Sequence, residues 1–99
     1  MKKRIKVPEH IKDSGRKWLK TVLAEYEFTN SELNLLFVAA SCMDRLQEVR
    51  EKIALEGLTV PDRFGQMKAH PLLAAERDNR LVLSRLCNQL KIVTSEGVK

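Results

Sequence analysis

The chain has 99 residues, a hydrophobic fraction of 43% with only 5% aromatic residues, and a formal net charge of +5. That length holds one small domain with a large surface relative to its core, and the aliphatic bias favours packed helices over a sheet-rich interior. The longest uninterrupted apolar runs, such as Leu35 to Ala40, fall far short of the roughly 20 residues that span a bilayer, so no membrane partner is expected.

The cations are concentrated at the front. From Met1 to Lys20 there are eight of them (Lys2, Lys3, Arg4, Lys6, Lys12, Arg16, Lys17 and Lys20) against Glu9 and Asp13, whereas the rest of the chain has ten cations against eleven acids. The whole net charge thus belongs to the first fifth of the sequence, a distribution suited to a polyanion, with nucleic acid the first candidate. The opening Met-Lys-Lys-Arg has the look of a secretory n-region, but Pro8, Glu9 and His10 follow where an apolar stretch is required, so no secretion signal is expected. Residues 1–8 read as a flexible basic arm, 9–91 as a helical domain and 92–99 as a tail, since the tail contains Gly97 and little periodicity.

A first helix is expected to start at Asp13 or Ser14, either of which can cap it, and to run to about Tyr26 with Trp18, Val22 and Tyr26 as its inner face. Lys12, Arg16 and Lys20 recur every four residues and form a stripe about 200° from Trp18, directed away from the core. The second entry is the sharpest local signal. Thr29 and Glu32 have the spacing of a capping box, and Phe28 with Leu33 that of a hydrophobic staple, so a helix starts at Thr29 or Asn30. It is expected to end at Glu56, because Gly57 is a C-cap residue able to take a positive φ.

Along that helix, Leu35, Ala39, Cys42, Leu46, Val49 and Ile53 form a seam with gaps of four and three, as in helix pairing. A second row, Leu36, Ala40 and Met43, widens the apolar arc in the first half, which should be buried on more than one side. This surplus is more than one short helix and a third helix are expected to cover, which nominates Leu35, Leu36, Ala39, Ala40, Met43 and Leu46 as an oligomer interface. Leu58-Thr59-Val60 and Gln66-Met67-Lys68 are predicted to pair as a ribbon around Pro61 and Gly65. Pro71 opens the third helix and holds His70 extended. That helix should present Leu72, Ala75, Asn79, Val82, Leu86 and Leu90 inwards, Asn79 either fixing register or lying at a rim. The fold class is therefore mainly α: three helices with a long central helix and a short β-hairpin between helices 2 and 3.

Catalytic chemistry is not in evidence. Gly15, Gly57, Gly65 and Gly97 form no phosphate loop, His10 and His70 stand alone, and the acids are expected on exposed faces, so no catalytic residue, metal site or cofactor is assigned. Cys42 and Cys87 lie in apolar helical patterns too far apart for a zinc spacing and are expected to be reduced. The alternating charges Asp44-Arg45, Glu48, Arg50-Glu51-Lys52, Glu76-Arg77-Asp78 and Arg80 read as solvated faces or intersubunit salt bridges. Arg63 at the hairpin tip is either a phosphate contact or a solubilising turn residue.

The succession of a Trp-bearing basic helix, the entry FTNSELNLLFVAA, the long helix through MDRLQEVREKIALEG, the hairpin, and HPLLAAERDNRLVLSRLCNQL resembles the compact small subunits of phage terminases. The resemblance covers roughly Pro8 to Leu90, and its most specific parts are Leu55-Glu56-Gly57-Leu58, Phe64-Gly65, His70-Pro71 and the helix from Arg77 to Leu90. It implies a DNA-recognition subunit for viral genome packaging, a ring-shaped homo-oligomer that binds the packaging site on double-stranded viral DNA. Such a subunit delivers that DNA to the large terminase subunit, which carries the ATPase and nuclease, in the host cytoplasm during virus assembly. On this view Lys2, Lys3, Arg4, Lys6, Lys12, Arg16, Lys17 and Lys20 contact the DNA. The chain departs from many relatives in its shortness and its brief tail after Leu90, which puts docking to the large subunit through the tail in doubt. The alternatives are a non-enzymatic helical protein-protein adaptor and a small DNA-binding regulator. No recognition helix of the helix-turn-helix kind stands out.

Overall fold

Helix α2, Asn30–Glu56, is the spine of the molecule, and in the computed structural model, which describes residues 5–92, both other helices pack against it. Helix α1 spans Asp13–Glu25 and α3 spans Leu72–Leu90, with strands β1, Thr59–Pro61, and β2, Met67–Ala69, forming an antiparallel hairpin between α2 and α3. The architecture is mainly α with three helices and one hairpin, as the sequence implies.

The start of α2 is built as its residues dictate. The Thr29 hydroxyl accepts from the Glu32 amide at 3.2 Å while the Thr29 amide donates to the Glu32 carboxylate at 2.8 Å, satisfying two amides that no helical carbonyl can reach. Phe28 and Leu33 pack beside the core as the staple. At the other end the Gly57 amide donates to the Ile53 carbonyl at 2.6 Å, and Gly57 takes φ 91° and ψ 166°. That combination lies beyond the left-handed helical region and is accessible essentially to glycine alone, so the chain leaves the helix extended.

The core joins Ile11, Leu19 and Val22 to Leu36, Ala39, Ala40, Cys42 and Leu46 of α2, and these to Leu83, Cys87, Leu90 and Ile92. Of the expected oligomer interface, Leu36, Ala39, Ala40 and Leu46 are at most 1% exposed within one chain, so they are interior and unavailable to a neighbour. Leu35 and Met43 are half-buried against the same core. The physical reason is that α1 and α3 both lie along α2, so the widened apolar arc is covered by the chain itself.

In two helices the inner face holds expected residues but is centred beside the expected row. In α1 the buried positions are Gly15, Leu19 and Val22, with Trp18 and Tyr26 half-buried beside them. Gly15, without a side chain, is the point of nearest approach: a Cβ there would be 2.6 Å from the Ala40 carbonyl oxygen. In α3 Leu90 is buried as expected and Leu72, Ala75, Asn79 and Leu86 are half-buried, but the fully buried Leu83, Ser84 and Cys87 lie beside that row, so the inner face is centred between the expected row and its neighbour. Val82 is exposed, and Asn79 is half-buried with its amide donating to the Ala75 carbonyl at 2.8 Å, a position at the rim.

Beyond α3, Lys91 adopts φ 60° and the Ile92 amide donates back to the Cys87 carbonyl at 2.8 Å, a Schellman closure whose trailing apolar residue packs on the helix. Ile92 is buried and belongs to the core, while the rest of the expected tail, 93–99, lies outside the described residues. At the front, Val7 packs against the core as well, so the end of the expected arm has a packed side chain.

The hairpin is paired one residue further along β1 and β2 than predicted, with Thr59 opposite Ala69, Val60 opposite Lys68 and Pro61 opposite Met67. The turn dictates this register. The Asp62 amide donates to the Gln66 carbonyl at 2.7 Å, and the Asp62 carboxylate accepts from the amides of Phe64 and Gln66 at 2.8 and 3.0 Å. His70 then ties the ribbon to the helices. Its Nδ1 accepts from the Leu72 amide at 3.0 Å, which leaves the proton on Nε2, directed at the Glu56 carboxylate at 2.7 Å. The His70 ring thus serves as the side-chain cap that Pro71 cannot supply.

Candidate nucleic-acid interface

The basic helix is held in place by an acid. Asp44, buried on α2, accepts from the Lys12 amide at 2.5 Å through one carboxylate oxygen and from the Gly15 amide at 2.6 Å through the other. These are orphan amides of the first turn of α1, so the oxygen expected from Asp13 or Ser14 comes instead from a residue 29 to 32 positions away. The negative charge also complements the positive end of the helix dipole. Asp44 thus lies on neither a solvated nor an intersubunit face, contrary to the expectation from charge alternation. The signal that could have found it is its position four residues after Ala40, where it extends the row Leu36, Ala40 and so occupies a core-facing site.

This arrangement has a chemical consequence. Because Asp44 occupies the Lys12 and Gly15 amides, the N-terminus of α1 already holds a carboxylate of its own, which disfavours a phosphate there and leaves anion recognition by this helix chiefly to side chains.

The predicted cations divide into three groups. Arg16 is committed to the fold: its Nε donates to the Ile11 carbonyl at 2.7 Å and its Nη2 to the Pro8 carbonyl at 3.0 Å, so it fastens the incoming segment to α1. Lys12 is paired with Glu48 at 3.5 Å on an exposed surface. Lys17 and Lys20 are exposed and, among the described residues, have no acidic partner. Spaced three apart, they lie on neighbouring turns of one face, about 5–6 Å apart at Cβ. Together with Asp13, Ser14 and Arg16 they line an open depression on the outer side of α1. Lys6 is exposed, while Lys2, Lys3 and Arg4 lie outside the described residues.

The rest of the surface is mixed in sign. Arg50 and Arg80 both approach Glu76 at 3.9 Å, and Lys52 approaches Glu56 at 3.9 Å, so these alternating charges pair within the chain. At the hairpin tip the Arg63 guanidinium stacks 5.0 Å from the centre of the Phe64 ring. Among the described residues no group of three or more His, Cys, Asp or Glu is placed to hold a metal ion, and no helix is long and apolar enough to cross a membrane. Cys42 and Cys87 are free and buried, and burial pushes the Cys42 thiol above its ordinary range, with Arg45 opposing that shift.

No protein-family model, curated protein or solved structure matches this chain.

Proposed function

We propose that this protein is the DNA-recognition small subunit of a phage terminase, which binds the packaging site on double-stranded viral DNA as a homo-oligomeric ring. It hands that DNA to the large ATPase and nuclease subunit in the host cytoplasm. Support comes from the order and spacing of its elements and from one physical observation: Lys17 and Lys20 have no acidic partner among the described residues and stand on the outer face of a helix that Asp44 and Gly15 hold closely to the spine. Cations on a fixed helix neutralise phosphates and release counterions, which supplies affinity without reading sequence. This role asks the chain for neither catalysis nor a cofactor.

The test is a salt titration of binding to duplex DNA by fluorescence anisotropy. The parent should bind at low salt and weaken steeply as salt rises. Replacing Lys17 and Lys20 with Gln should lower affinity and flatten the logarithmic salt slope by about 2, because each neutralised phosphate contributes about 0.9 to that slope. Replacing Arg16 should act mainly through stability. Absence of binding by the parent at low salt would favour the protein-protein adaptor instead.

A further inference from the structure

The hairpin end of the molecule concentrates exposed apolar side chains. Leu55, Leu58, Phe64 and Met67 are 87%, 66%, 76% and 64% exposed, four of the seven strongly exposed large apolar side chains among the described residues, within 13 residues of sequence. Both strands are largely exposed, and a two-stranded ribbon is at best marginally stable by itself in water. Here it is tied down at its base through His70 and Glu56.

The backbone has an open side as well. The His70 amide donates to the Leu58 carbonyl and the Asp62 amide to the Gln66 carbonyl, so by the alternation of an antiparallel ladder the amides and carbonyls of Met67 and Ala69 turn outwards. On the opposite edge Pro61 has no amide to offer. The β2 edge is thus the one able to accept another strand, and Lys68 is the only charged residue within it.

We infer that the hairpin is a self-association element, in which Leu55, Leu58, Phe64, Met67 and the β2 edge are covered by a second copy of this chain. The four side chains expose on the order of 500 Å² per copy, given the 150–250 Å² of a single aromatic side chain, which is more than half of the roughly 800 Å² per partner in a standard interface. A nucleic-acid partner fits less well, because such interfaces are rich in cations and this ribbon has only Arg63, stacked on Phe64, and Lys68. Self-association here rests on the proposed packaging role and deepens it, moving the subunit interface from the row of Leu36, Ala39, Ala40 and Leu46, which is interior, to the hairpin.

Sedimentation velocity of the full chain across low to high micromolar concentration tests it. The parent should associate reversibly, and joint replacement Leu58→Lys, Phe64→Lys and Met67→Lys should weaken association at least about 30-fold, the threshold for hot-spot residues. Helicity should be unchanged, since all three side chains are exposed; should the triple variant misfold, Met67→Lys alone carries the same expectation. Val38→Lys, on an exposed site of α2, should leave association intact. A parent that stays monomeric, or a triple variant that associates like the parent, overturns the inference. So does a triple variant that loses DNA affinity at concentrations where the parent is monomeric. The Lys17→Gln and Lys20→Gln salt titration reports separately on DNA binding, so either result can fail without the other.

Discussion

Gly15→Ala sets two physical effects against each other, and the structure decides the sign. On propensity alone, alanine in a helix interior is favoured over glycine by about 1 kcal/mol. The added Cβ, however, would meet the Ala40 carbonyl oxygen at 2.6 Å, Ile11 Cγ2 at 2.7 Å and the Asp44 carboxylate at 3.0 Å. A comfortable carbon to oxygen separation is about 3.3–3.6 Å, so α1 must retreat from α2 by most of an ångström. That retreat stretches the 2.5 and 2.6 Å bonds to Asp44 to about 3.2–3.3 Å, the long edge of the hydrogen-bonding range, in addition to an overpacking cost of about 1–3 kcal/mol. The net expectation is a loss of about 2 kcal/mol, which lowers the melting midpoint by roughly 8–16 °C in a domain of this size. Urea unfolding followed by far-UV circular dichroism and by Trp18 fluorescence measures it, Trp18 reporting on α1 from one turn away. A Gly15→Ala protein as stable as its parent, or more so, would refute the close-crossing argument.

Asp44→Ala should be the costlier change, about 3 kcal/mol, because it leaves the Lys12 and Gly15 amides without an acceptor and removes the charge facing the helix dipole; a thermal shift of only a few degrees would refute the capping role. For Cys42 the sign follows from its raised thiol. The native state holds the protonated form more tightly than the unfolded chain does, so this contribution is complete below the unfolded value near 9.0 and is lost as pH rises through the higher native value. The urea midpoint should therefore fall between pH 8 and alkaline pH, and fall less in Cys42→Ser; equal declines would show that the thiol contributes nothing.

Local chemistry was legible wherever partners lie within one or two turns. Thr29, Glu32, Phe28 and Leu33 specify the start of α2 among themselves, Gly57 ends it, and Pro61 with Gly65 brackets the turn. The seam from Ala39 to Ile53 could be read from periodicity because a helix that is buried on one side keeps its apolar spacing whatever covers it. These features follow from the order of residues, since backbone geometry alone brings their groups together.

Other properties depended on how the helices meet. The centre of the inner faces of α1 and α3 is set by the closest packing available, at Gly15 and at Leu83 and Cys87, whereas apolar spacing alone admits solutions that differ by part of a turn. The cap of α1 comes from Asp44 across the helix crossing, and the hairpin is anchored by Glu56 through His70, pairings between residues 14 to 32 positions apart. Arg16, equal to Lys17 and Lys20 in charge and also exposed, differs from them because its guanidinium donates to the carbonyls of Pro8 and Ile11. Sequence supplies the groups and their local geometry; which of them are spent on holding the fold, and which remain free to meet a partner, is settled only when distant segments pack and compete for the same donors and acceptors.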